Sequence, residues 1–298
     1  MTEEDGRRQA RRSRRRRRFA LAVAGLACLA VALAWLMPSL EGGNRYIDYQ
    51  RKKNALLWAF GFTLPGTPDL SDLDGRLAAK GLALGAPVFM RIFKREFELE
   101  VWLKKDGRFE LLSTYPICRW SGDLGPKLAT GDRQAPEGFY SVGPSSLNPK
   151  SRWHRSFNLG FPNAYDRALG RTGSFLMVHG GCGSIGCYAM TNAAIDEIWR
   201  IVNRAFDGGQ NRFQVQVFPF RMTEANLAAH RGSPWDSFWM NLKPGYDLFE
   251  AERIPPQVGL CGKSYAFASG SQSADKAGPV TSQCIGASKA AAVGSAPH

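Results

Sequence analysis

The chain has 298 residues, of which 44% are hydrophobic and 22% charged, so it holds enough apolar side chain for a sizeable core and is not a polar, wholly unfolded polymer. Its formal net charge is +13, but residues 1–18 hold nine Arg against three acids and supply +6 of it. The remaining +7 is spread along the chain without a basic stripe, which excludes nucleic-acid binding as the leading function.

After the arginines comes "FALAVAGLACLAVALAWLMPSL", residues 19–40, an uncharged apolar run. Its length matches the ~20 residues that cross a bilayer, and arginines before it hold the N-terminus in the cytoplasm. The run therefore reads as an inner-membrane anchor or as a signal peptide, with Ala32-Leu33-Ala34 as a small-residue cleavage site. Either way the rest of the chain is exported to the periplasm. Of six cysteines, Cys28 lies in this run and five (Cys118, Cys182, Cys187, Cys261 and Cys284) meet an oxidising compartment. An odd number leaves at least one free thiol in a monomer.

Residues 41–85 read as a helical connector, with helical spacing in "YIDYQRKKNALLWAF" and "LSDLDGRLAAKGLAL" and a break at "TLPGTPD". Residues 86–221 read as a catalytic domain rich in strands. "PVFMRIFK" and "FELEVWLKK" alternate, Asp106-Gly107 signals a hairpin, and "FELLSTYPI" is the return strand. "GFYSV", "HRSFNLGF" and "SFLMVHG" are further strands. An amphipathic helix over "TNAAIDEIWRIVNRAF" follows, capped by Thr191 or Asn192, and then the strand "RFQVQVFPF". Residues 222–258 read as a helical extension packed on the domain. Residues 259–298, rich in Gly, Ala and Ser, read as a disordered tail.

Between the buried strand and the helix lies "HGGCGSIGC", residues 179–187. Acyl chemistry by cysteine needs a thiolate, a base to form it, backbone N–H groups for the oxyanion, and a group that orients the base. Cys187 and His179 supply the first two, and the glycines permit the third. Ser184, the Gly180 carbonyl and Asp166 are all candidates for orienting His179. Three other readings compete. The loop is a tight turn and nothing more. Cys182 and Cys187 form a disulfide. Or His179, Cys182 and Cys187 bind zinc with Cys118 or His154 as fourth ligand, although their spacing matches no common ligand pattern.

"HGGCGSIGC" resembles the His-Gly…Ser-x-Gly-Cys signature of YkuD-type L,D-transpeptidase catalytic domains, closest to the murein L,D-transpeptidase-like subgroup of Gram-negative bacteria. "GDRQAPEGFYSV", "PVFMRIFK", "LEVWLKK", "TYPICRWSGDLGPK", "SFNLGFPNAYDR" and "YAMT" extend the likeness over most of 73–258. The resemblance implies an α+β fold, mainly β, with mixed, sandwich-like sheets and flanking helices. It implies a cysteine enzyme that acts on peptidoglycan stem peptides at diaminopimelate, by transpeptidation or by hydrolysis that releases a peptidoglycan-linked lipoprotein. The alternative is an inactive peptidoglycan-binding module of the same fold. By position, Cys187 is the nucleophile, His179 the base, and Ser184, Gly186 and Gly180 belong to the oxyanion and orienting loop. No cofactor and no metal are called for. Many relatives carry a second histidine where this chain has Ile185, and an arginine where it has Ala189. Arginine forks suit the carboxylates of stem peptides. Arg152, Arg155, Arg167 and Arg171 flank the loop in sequence; Arg155 and Arg171, with Tyr140 and His154, are the substrate-binding expectations.

Overall fold

The structure is a computed structural model that describes residues 21–23, 25–26, 43–270 and 280–285. The chain divides into two units, Met1–Gln50 and Arg51–His298. In the first, residues 21–23 and 25–26 are helical and helix α1 (Gly43–Ala59) begins. The basic segment 1–18 and most of the apolar run 19–40 lie outside the described residues. Among the described residues no helix is long and apolar enough to cross a membrane.

In the second unit, α1 ends and α2 (Leu73–Lys80) follows. The Asp72 side chain accepts from Gly75 N–H at the N-terminus of α2, and left-handed Gly81 closes its C-terminus. One five-stranded sheet has the order β3-β2-β1-β10-β5, from β1 (Val88–Phe93), β2 (Glu98–Lys105), β3 (Arg108–Pro116), β5 (Gly138–Val142) and β10 (Phe213–Phe218). All its pairs are antiparallel except β1 with β10. Asp106 and Gly107, both at positive φ, form the expected β2–β3 turn.

The second sheet has the order β4-β9-β8-β7-β6, from β4 (Arg119–Trp120), β6 (Leu147–Ser151), β7 (His154–Asn158), β8 (Met177–His179) and β9 (Tyr188–Ala189). Only β8 and β9 are parallel. Phe157 of β7 packs edge-on against Phe213 of β10, with centroids 5.9 Å apart, and ties the sheets together. The result is a mixed α/β architecture.

Alternation explains both faces of β1. Phe89, Arg91 and Phe93 meet α6 (Asp236–Glu252), with Phe89 and Phe249 centroids 4.5 Å apart and Arg91 bound to Glu100 and Glu250. Helix α4 (Asn192–Asp207) buries Ile195, Ile198, Ile201 and Val202 on one stripe, and its cap is Thr191, whose hydroxyl accepts from Ala194 N–H. Short helices α3 (Ala164–Ala168) and α5 (Glu224–Ala229) complete the unit.

Two corrections to the sequence reading concern cysteine and the tail. Cys182 bonds Cys118 and not Cys187, with Cα atoms 5.2 Å apart. Residues 259–298 do not all stand outside the fold. β11 (Gln257–Cys261) and β12 (Ser264–Ala268) form a hairpin, and Cys261 bonds Cys284. Tyr265 stacks on Tyr165 at 4.0 Å and receives a hydrogen bond from Asn163. Average composition hid these few apolar anchors among small residues.

Lys94 and Glu137 are both fully buried, 2.9 Å apart. Lys94 also donates to the carbonyls of Asp123, Gly125 and Ala135, while Glu137 accepts from Gly125 N–H and Trp239 Nε1. The pair thus holds residues 121–137 against the end of β1.

Two outcomes are expected in urea denaturation. Glu137→Ala loses about 3–5 kcal/mol, because the Lys94 ammonium is left buried and unpaired. A Cys118→Ser/Cys182→Ser protein loses about 4 kcal/mol, the chain-entropy value for a loop closed across a separation of 64 residues. A midpoint unchanged from wild type in either case contradicts the corresponding assignment.

Candidate active site

The site is built on β8 and β9. Val178 pairs with Tyr188 and His179 with Ala189. Side chains alternate along a strand, so Met177 and His179 share one face, and Cys187, one residue before β9, falls on that face too. The intervening loop is closed at its base by Met190 N–H to the His179 carbonyl (2.7 Å) and Cys182 N–H to the Met190 carbonyl (3.2 Å). Gly181 adopts φ +87°, and a Cβ there would lie 3.3 Å from the Trp153 ring, so a side chain would be both strained and crowded.

Cys187 is the free cysteine among the described residues, and it is half-buried. Its Sγ accepts from Met177 N–H at 3.4 Å and faces the Phe175 carbonyl at 3.6 Å. Burial pushes the thiol above its ordinary value of 9.0; the Met177 amide and the positive charge of Lys127 pull the other way. His179 is buried. Its Nδ1 lies 2.6 Å from the Gly180 carbonyl, which can only accept, so Nδ1 carries the proton and Nε2 keeps the lone pair. Burial holds this imidazole below 6.5, against the Gly180 hydrogen bond. At neutral pH the resting pair is therefore a thiol and a neutral imidazole.

Among the three candidate orienters, the Gly180 carbonyl contacts His179. The Ser184 hydroxyl serves Cys187 instead, accepting from its N–H (2.9 Å) and donating to its carbonyl (2.6 Å). Asp166 is engaged by Arg171 and Asn163. Gly186, at φ +109°, donates its N–H to the Ser121 hydroxyl. The amides of Gly186 and Cys187 are thus both hydroxyl-bonded in the resting loop.

His179 and Cys187 line one cavity of about 400 Å³ with Trp153, Phe175, Met177, Ile185 and Arg152. Phe175 and Ile185 are 69% and 76% exposed and form an apolar rim.

The four residues expected to bind substrate are not among those that line this cavity. Tyr140 is buried, its hydroxyl 3.1 Å from the Glu137 carbonyl. Arg171 is buried and paired with Asp166 at 2.9 Å. His154 and Arg155 both bind Asp196, at 2.7 and 3.0 Å, and the Arg155 carbonyl accepts from Gly180 N–H at 3.2 Å. The zinc alternative fails on its donors: the Cys118–Cys182 bond consumes Cys182, which it requires, and Cys118, one of its two choices of fourth ligand.

Sequence reading missed Lys127, Ser121 and Trp153. Each is distant from the loop in sequence, and no local pattern marks them. Lys127 brings a positive charge to bear on the Cys187 sulfur, and it is tied by Asp132 and by the Ala129 carbonyl (2.9 Å).

The model of the YkuD L,D-transpeptidase catalytic domain matches residues 99–217, from β2 to β10. The chain is 51% identical over 182 residues to the protein called "Putative L,D-transpeptidase YafK" in Escherichia coli K12, covering 61% of this chain and 74% of that protein, and it matches the O157:H7 counterpart equally. Among solved structures, the helical cell shape determining protein Pgp2 of Campylobacter jejuni aligns with a TM-score of 0.37 at 20% identity, over 60% of this chain and 68% of Pgp2. The likeness to YafK across three quarters of its length, together with the family match across the strands that carry His179 and reach past Cys187, makes this chain a member of the YkuD-type L,D-transpeptidase family.

Proposed function

We propose that the protein is a cysteine acyltransferase of the cell envelope that cleaves a peptidoglycan stem-peptide bond at diaminopimelate through a thioester on Cys187. Family membership makes it a peptidoglycan-modifying enzyme of transpeptidase type. The observation that carries the finer reading is the unpaired Cys187 thiol on the same face and in the same cavity as an imidazole whose Nε2 is free to take a proton.

In the first half-reaction, Nε2 of His179 takes the Sγ proton as sulfur attacks the amide carbonyl. The C–N bond then breaks, the proton passes from His179 to the departing amine, and an acyl-Cys187 thioester remains. In the second, water or an amine attacks the thioester, His179 takes its proton, and Sγ leaves and is reprotonated. Water gives hydrolysis, which on a peptidoglycan-linked lipoprotein would release it; an amine gives a crosslink. The tetrahedral oxyanion needs N–H donors. The Gly186 and Cys187 amides serve when substrate oxygen displaces the Ser121 and Ser184 hydroxyls from them. Lys127 adds positive charge as the thiolate forms.

The apolar run 19–40 supports placement at the inner membrane or secretion after cleavage, with the catalytic unit in the periplasm.

Incubating purified protein with muropeptides and separating the products tests the reading. Cys187→Ala is expected to abolish product and the acyl adduct seen by mass spectrometry; a fully active variant rejects Cys187 as nucleophile. The pH profile gives a second check. Because burial lowers the imidazole, the acid limb of kcat/KM should be centred below 6.5. An acid limb centred above 6.5 contradicts His179 as a buried, neutral base.

A further inference from the structure

Four arginines flank the loop in sequence, and the fold treats them differently. Arg155 lies 3.0 Å from Asp196, Arg171 lies 2.9 Å from Asp166, and Arg167 donates to the Pro162 carbonyl. Arg152 has no acidic partner among the described residues. It lines the cavity that holds His179 and Cys187. Its guanidinium carbon lies over the Trp153 ring, 5.5 Å from the centroid, within cation–π distance.

The cavity has no Asp or Glu among its lining residues, and Trp153, Phe175, Met177 and Ile185 give it apolar walls. A cation beside such walls attracts an anion more strongly than one in open water. The planar fork of a guanidinium matches a carboxylate through two parallel hydrogen bonds, and the contact with the Trp153 ring leaves its N–H donors free. Asn148 and Ser151 on the same wall add polar groups of neutral charge.

We propose that Arg152 forms an anion subsite that binds a free carboxylate of the acyl donor, beside the bond that Cys187 attacks. This rests on the proposed chemistry of Cys187 and names the feature by which that site selects its substrate. A donor whose carboxylate is amidated loses the contact and binds more weakly.

Two small alkylating agents of similar shape, anionic iodoacetate and neutral iodoacetamide, test the subsite on the full-length protein without any substrate. Adducts on the Cys187 peptide are quantified by mass spectrometry, which separates them from other thiols. Arg152→Gln should lower the iodoacetate-to-iodoacetamide rate ratio about fivefold, with Arg152→Glu lower still, while the iodoacetamide rate stays within about twofold of wild type. In parallel, Arg152→Gln should raise KM for a carboxylate-bearing stem peptide and leave KM for its amidated analogue unchanged. An unchanged alkylation ratio, or an equal fall with both reagents, overturns the subsite. Neither result touches the nucleophile assignment, which stands or falls on Cys187→Ala.

Discussion

The candidate site depends on one short parallel contact. β8 and β9 share two residue pairs, and the loop between them returns the chain so that position 187 sits on the face that carries His179. A parallel pair cannot be joined by a two-residue hairpin; the chain has to cross back before it pairs. Here the crossing is an eight-residue loop with glycine at residues 180, 181, 183 and 186, held at its base by two backbone hydrogen bonds. A slip of one residue in the register of β9 would turn Cys187 to the opposite face and separate it from the imidazole.

The rest of the structure holds that contact still. The Cys118–Cys182 bond ties the loop to the segment that leads into β4, and Leu64 and Leu57 pack against it. Ser121 anchors Gly186 from the same region, and the Lys94–Glu137 pair secures the segment that bears Lys127. Arg51 of α1 stacks over Trp120 and donates to its carbonyl at 3.0 Å, so a stretch that reads as a connector also braces the loop's support.

The resting electrostatics suit a reaction that starts from neutral partners. Burial disfavours both the thiolate and the imidazolium, so the two groups rest uncharged. Lys127 and the Met177 amide then favour the anion at sulfur. The cysteine therefore need not persist as an exposed thiolate in an oxidising compartment, where such species are the ones most readily oxidised.

Local sequence was enough for the features that arise from near neighbours. The alternation of β1 and β2, the Asp106-Gly107 turn, the Thr191 cap and the stripe of α4 are set by residues within a few positions of one another. So is the pairing of His179 and Cys187 across one glycine loop. What local sequence could not settle depends on contacts between distant segments. Cys182 had four other cysteines outside the apolar run as possible partners, and the fold chose Cys118. Tyr140 and Arg171 look like recognition residues in isolation, and they are buried because the elements around Asp166 close over them. The tail looked featureless because a hairpin of two five-residue strands and one disulfide is invisible to average composition. The sequence by itself determined the candidate groups, His179 and Cys187, since those are residue types at short spacing. Only the tertiary structure decided which arginine lines the cavity with Cys187 and which cation and hydroxyls lie near its loop, because those neighbours come from strands and turns that meet only after the two sheets have packed.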